Sequence, residues 1–187
     1  MKWGPQRPTR PEPVGSSKSL ALRHVPLTAL EPLIREGVIW ALIDACDNPS
    51  VPSKVYELGG RRAVSLLRGE AETEYAEIAP YLVHVDEFVL QWMVESFWQD
   101  PWGILAVARG DLGKLRTHFR KFLTVEDPDG KKMYFRYYDP RILQAFLPAC
   151  QDEEIHQIFG PVDALGIGDS KGESASFFSH VQSDLPW

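Results

Sequence analysis

Two aspartates occupy positions at which an α/β protein often carries chemistry. Asp44 follows the apolar run of residues 38–43, and Asp139 lies between a predicted strand and a predicted helix. A carboxylate at such a place can bind a metal ion or accept a proton. Both positions also suit structural roles, because Asp44 can cap the turn at residues 48–49 and Asp139 can cap a helix that begins at Pro140. The sequence favours the structural roles. A metal- or small-ligand-dependent enzyme with both carboxylates in one concave site remains the alternative function.

The other residues with reactive or charged side chains do not form a recognisable catalytic motif. Arg136 and Arg141 could clamp a carboxylate, but they could equally pair with Asp139 or other nearby acids. The chain contains no phosphate-binding loop, nucleophile elbow, His-Glu-x-x-His pair or Cys-x-x-Cys pair. Its five histidines share no ligand spacing, and its two cysteines fit neither a disulfide framework nor a four-ligand zinc site. We therefore expect no bound metal, no cofactor and no enzymatic activity.

Charge is unevenly distributed along the 187 residues, which carry 20 Lys and Arg, 26 Asp and Glu and a formal charge of -6. Residues 26–108 contain five basic and thirteen acidic side chains, whereas residues 109–141 contain nine basic and five acidic ones. The overall deficit of base argues against a nucleic-acid partner. A nucleic-acid module remains a third hypothesis, and it would use Lys114, Arg116, Arg120, Lys131, Lys132 and Arg136.

No apolar run is long enough to span a bilayer, and the first residues lack the apolar core of a signal peptide. We therefore expect a cytoplasmic protein with no membrane partner.

Apolar runs alternate with helical patterns between two polar ends. The pattern predicts strands at 38–43, 63–67, 81–85 and 104–108 and helices at 54–58, 70–76, 87–98, 112–122, 141–147 and 152–159. Two further strands, 123–126 and 132–138, flank a Pro and Gly turn and predict a hairpin. The expected fold is α/β, with a mixed sheet and a C-terminal β-hairpin followed by helices. The expected domain covers residues 26–162, between a flexible Pro/Arg-rich tail (1–25) and a flexible Gly/Ser-rich tail (163–187).

One predicted helix is unusually apolar for a surface element. Residues 87–98 carry Phe88 and Trp92 outside a narrow polar stripe, so the helix is either central or partly offered to a partner. In the predicted hairpin, alternation places aromatic and basic groups on the face opposite the core. The predicted partner-binding residues are Phe88, Trp92, Tyr134, Arg136, Tyr138 and Arg141.

The sequence resembles a known family from about residue 38 to residue 162. The resemblance rests on ordered motifs: residues 40–45, 65–69, 79–83, 118–123, 129–130, 159–162 and above all Phe135-Arg136-Tyr137-Tyr138-Asp139-Pro140-Arg141. These are similar to the effector adaptor (chaperone) family of type VI secretion, long described as a domain of unknown function. The resemblance implies a non-enzymatic cytoplasmic protein that binds the N-terminal region of a toxic effector and promotes its loading onto the VgrG spike. It also implies that Asp44, Asp139 and Pro140 are structural signature residues.

Overall fold

The computed structural model describes residues 20–46, 48–127, 129–180 and 185–187. Within them, a seven-stranded sheet has the order β1-β9-β8-β5-β2-β4-β3, and β6 and β7 form a separate hairpin. The strands are β1 (Leu20–Pro26), β2 (Ile39–Asp44), β3 (Ala63–Ser65), β4 (Pro80–His84), β5 (Gly103–Val107), β6 (Thr124–Glu126), β7 (Lys132–Tyr134), β8 (Ala164–Gly168) and β9 (Ser174–His180). The helices are α1 (Glu31–Glu36), α2 (Ser50–Leu58), α3 (Glu70–Glu74), α4 (Glu87–Ser96), α5 (Leu112–Arg120), α6 (Pro140–Phe146) and α7 (Asp152–Phe159).

Helices cover both faces of the sheet, because its central strands are apolar on both sides. In β2, Ile39, Ala41 and Ile43 belong to one buried cluster, while Trp40 and Leu42 belong to another. The first cluster packs under α1, α2 and α4, and the second packs under α5, α6 and α7. We call these sides of the sheet the first face and the second face. Asp44 follows the alternation of Trp40 and Leu42 and therefore points to the second face.

The α/β class predicted from the sequence is confirmed, but the direction of the strands differs from the prediction. Every neighbouring pair in the described sheet is antiparallel, so the sheet is not mixed. β4 and β5 do run in the same direction, as a strand-helix-strand unit around α4 requires. β2 lies between them and is antiparallel to both, which removes the parallel contact that strand and helix alternation predicted.

The prediction of a flexible tail from residue 163 is wrong for most of that segment. β8 and β9 form a hairpin that continues the sheet, and β1 pairs with the outer side of β9. Gly166 falls in the predicted Gly/Ser-rich tail, but a Cβ there would lie 2.4 Å from Cε1 of Phe177. The glycine therefore allows an aromatic ring to pack on the strand. Residues 20–25 likewise belong to β1, whereas the predicted flexibility of residues 1–19 and 181–184 lies outside the described residues.

The predicted hairpin of β6 and β7 forms, and α6 and α7 follow it, as expected. Its second strand ends at Tyr134, four residues earlier than predicted. The chain then turns, because the Asp139 N–H donates to the Arg136 carbonyl oxygen at 2.9 Å. The hairpin nearest the C-terminus is instead β8 and β9, and no helix follows it among the described residues.

Candidate partner-binding surfaces

Asp44 lies at the end of β2, where it is 4% exposed. Its carboxylate forms an ion pair with Arg136 and accepts the N–H of Cys46 at 3.0 Å. Burial lowers the pKa of Arg136, but the hydrogen bond and charge of Asp44 outweigh this and raise it. The pair joins β2 to the segment between the hairpin and α6.

Asp139 is the N-cap of α6, and Pro140 follows at the first helical position. Asp139 Oδ1 accepts the Arg141 backbone N–H and Nε at 2.9 Å each, and Oδ2 accepts Nη2 at 2.6 Å. The hydrogen bond from Arg141 lowers the pKa of Asp139 more than burial raises it. Both carboxylate oxygens are therefore engaged in holding the start of the helix. In the described residues, no group of three His, Cys, Asp or Glu side chains is placed to hold a metal ion.

Two further arginines connect α5 with the chain that follows β3. Arg120 donates to the Leu66 carbonyl oxygen. Arg116 donates to the Leu67 carbonyl oxygen at 2.6 Å and pairs with Glu72 at 3.1 Å. Because Leu66 N–H bonds to the first residue of β4, these contacts lie at the same end of the sheet as Asp44. Three of the six basic residues that a nucleic-acid module would use, Arg116, Arg120 and Arg136, thus hold the fold together.

The predicted binding face of the hairpin is only partly accessible. Tyr138 is 1% exposed, and burial raises the pKa of its hydroxyl. It cannot meet a partner in this conformation, because the strand ends before it and the chain turns inward. Tyr134 is 52% exposed, with its hydroxyl oxygen 3.2 Å from that of Tyr138. The Arg136 and Arg141 side chains are 42% and 71% exposed, so they remain available on this side of the molecule.

An apolar groove that the sequence did not predict opens beside these residues. It encloses about 180 Å³ between the β6 and β7 hairpin, the end of α5, and helices α6 and α7. Phe122, Val125 and Phe135 line it and are only half buried. The alternation of the hairpin predicted Phe135 as a core residue, but it could not show that this hairpin lies apart from the sheet. The lining residues are Lys121, Phe122, Thr124, Val125, Phe135, Tyr137, Leu143, Phe146, Glu154, Gln157 and Ile158.

The predicted residues of α4 lie on the opposite side of the molecule. Phe88 is 81% exposed, whereas Trp92 is half buried and packs edge-on against Phe97 at 4.9 Å between ring centroids. Because α4 covers the first face and α6 covers the second, Phe88 and Arg141 cannot touch one small segment together. The single predicted surface is therefore two surfaces. We call them the groove surface, which lies around the apolar groove, and the α4 surface, which lies around Phe88 and Trp92.

The comparisons with known proteins give one match. Residues 39–157 match the model of a family described as a domain of unknown function (DUF4123). No curated protein and no solved structure matches the chain. Among the described helices, none combines the length and the apolar character needed to cross a bilayer. The match covers more than half of the chain, including β2 to β5, α4 to α6 and most of α7. The chain belongs to the DUF4123 family, which is associated with type VI secretion.

Proposed function

We propose that this protein is an adaptor (chaperone) of type VI secretion. It binds a toxic effector in the cytoplasm of the producing cell and promotes loading of that effector onto the VgrG spike. It acts by binding and releasing the effector and catalyses no reaction. The type VI association of the family supports the setting, and the apolar groove supports the binding.

The groove is the observation that carries the proposal. All of its lining residues except Ile158 lie inside the part of the chain that matches the family, and Phe122 and Phe135 in the lining are half buried. An open apolar groove between helices is a common docking site for an apolar helix of another protein. Burying such a helix of the effector would also hide it from wrong partners until it is loaded.

Binding is tested with a candidate toxin chosen from the genes that neighbour the gene for this protein. The two chains are expressed together, and their affinity is measured by titration calorimetry. Gln157 is exposed at the groove, so Gln157→Trp fills the groove without disturbing the core. We expect this variant to bind at least about tenfold more weakly, which corresponds to about 1.4 kcal/mol. Gln144→Trp is the matched control, because Gln144 is an exposed glutamine on α6 outside the groove.

Loading is tested separately, by measuring how much toxin co-precipitates with VgrG from cells with and without this protein. We expect loss of the protein, or Gln157→Trp, to lower the amount of bound toxin. If toxin and wild-type protein do not associate and loading is normal without the protein, the adaptor function is wrong. If they associate and both tryptophan variants bind equally well, the groove is not the binding site.

A further inference from the structure

The α4 surface carries an apolar stripe that the fold leaves uncovered. Phe88 and Trp92 are one helical turn apart and therefore lie on the same side of α4. Phe88 is 81% exposed, although the residue after it, Val89, is fully packed in the core. α2 lies alongside, because Lys54 Nζ lies 5.8 Å from the centroid of the Trp92 ring. Tyr56 of α2 is also exposed, at 90%.

Acidic side chains flank this stripe on α4, and the sequence has no Lys or Arg between Arg68 and Arg109. On α4 itself, Glu87 lies beside Phe88, and Glu95 accepts a hydrogen bond from Gln91 at 2.8 Å.

Two basic side chains beside α4 are paired with acids. Lys54 pairs with Glu57 at 2.9 Å, and Arg62 pairs with Asp86, the N-cap of α4. The α4 surface therefore has an apolar centre with the acids Glu87 and Glu95 beside it.

We propose that the α4 surface binds a cationic amphipathic helix of a protein partner. Apolar side chains of that helix would pack on Phe88 and Trp92, and its Lys or Arg side chains would face Glu87 and Glu95. The negative rim disfavours nucleic acids and anionic lipid surfaces, which need basic protein surfaces. It favours a partner of opposite charge, since complementary charge raises the rate and the specificity of association.

The inference goes beyond effector binding, because the surface lies on the first face and the groove lies on the second. Two partners can therefore bind at the same time without competing for side chains. The charged side chains that line the groove are one of each sign, Lys121 and Glu154, whereas α4 carries Glu87 and Glu95 beside its apolar stripe.

The test uses two synthetic peptides of about 18 residues, long enough to form a helix when bound. Both carry the same leucine stripe, flanked by lysines in one peptide and by glutamates in the other. Fluorescence anisotropy with the full chain measures their affinities. We expect the lysine peptide to bind at least about tenfold more tightly than the glutamate peptide. We expect its binding to weaken as salt rises from about 50 to 500 mM.

Variants locate the binding site. We expect Phe88→Ser, at an exposed position, to weaken lysine-peptide binding by about tenfold, and Glu87→Gln with Glu95→Gln to weaken it several-fold. Glu153→Gln is the matched control, because Glu153 is an exposed acid in the first turn of α7 on the other face. Neither this control nor Gln157→Trp in the groove is expected to change binding.

Several outcomes would overturn the inference. They are equal affinity for the two peptides, no binding of either peptide, and no effect of Phe88→Ser. Loss of binding in Gln157→Trp would place the peptide in the groove instead. If the wild-type protein is a dimer by light scattering and Phe88→Ser is a monomer, the surface is covered by a second copy of the chain. None of these results decides whether the toxin binds, which is measured separately.

Discussion

The ion pair between Asp44 and Arg136 gives the sharpest prediction about stability. Asp44 is 5% exposed at its side chain, whereas Arg136 is 42% exposed. Arg136→Ala leaves the buried carboxylate with the Cys46 N–H as its remaining hydrogen-bond donor in the described structure. Removing one partner of a fully buried pair costs about 3–5 kcal/mol. Water can reach the space that Arg136 leaves, so we reduce the expected loss of unfolding free energy to about 2–3 kcal/mol.

Thermal and urea unfolding of the full chain measure this loss. For a chain of this size, the expected fall in Tm is about 5–10 °C. Arg141→Ala is the control, because Arg141 also pairs with a buried aspartate, Asp139, but is itself 71% exposed. Asp139 keeps the backbone N–H bond of its cap in this control, so we expect little change in stability. If Arg136→Ala is no more destabilising than Arg141→Ala, the Asp44 pair does not hold β2 to the segment before α6, and the reasoning is refuted.

Three other predictions concern packing, pH and a turn. A Cβ at Gly166 would overlap the Phe177 ring, so Gly166→Ala should lower the unfolding free energy by about 1–3 kcal/mol. Gly60→Ala should not lower the unfolding free energy, because no atom lies within 4 Å of the new Cβ. Equal urea midpoints for the two variants would contradict the packing of Phe177 on Gly166. Burial lowers the pKa of His118, so below pH about 6.5 the unfolded chain binds a proton that the folded chain does not. The free energy of unfolding should therefore fall as the pH drops below that value, by up to about 1.4 kcal/mol per pH unit. In His118→Gln, the unfolding curves should not show this dependence on pH. Burial raises the pKa of Asp169, but hydrogen bonds from the turn between β8 and β9 outweigh it and lower the pKa to about 2. The carboxylate should thus stabilise the fold above pH about 4 and lose this effect as the pH falls toward 2. Asp169→Ala should cost about 1 kcal/mol at neutral pH, and a variant as stable as wild type in urea would show that the turn does not need it.

The sequence predicted best the elements whose signals are local. Asp86, Asp111 and Asp139 each accept a backbone N–H at the start of a helix, and the predicted helices 87–98, 112–122 and 141–147 begin within one residue of these starts. The bounds of α7 were also predicted correctly, because an acidic first turn and Gly160 mark its two ends. A cap involves residues two or three positions apart, so the sequence alone contains the whole interaction.

The features that the sequence did not predict depend on distant residues. In the sequence, Gly168 resembles a linker glycine. In the structure it lies in β8 against Trp98, and a Cβ at Gly168 would lie 2.7 Å from Cε2 of the indole. Likewise, hydrophobicity does not distinguish Phe88, which is exposed, from Val89, which is buried, although the two are adjacent. Which of them meets the core depends on the position of α4 over the sheet. The sequence therefore did not predict the groove and the α4 surface as separate sites.

The residues that carry the family resemblance lie mostly inside the molecule. Arg136 holds Asp44, Arg120 holds the carbonyl of Leu66, and Asp139 caps α6. The first two contacts join distant parts of the chain at one end of the sheet, and the third begins the helix that follows, so together they account for a shared fold without touching a partner. In the function that we propose, the choice of partner depends on the exposed groove and α4 surfaces. Since these surfaces lie on opposite faces, substitutions in one should change one interaction and leave the other intact. A bridging adaptor requires such independence, and measuring both affinities in the Gln157→Trp and Phe88→Ser proteins tests it directly.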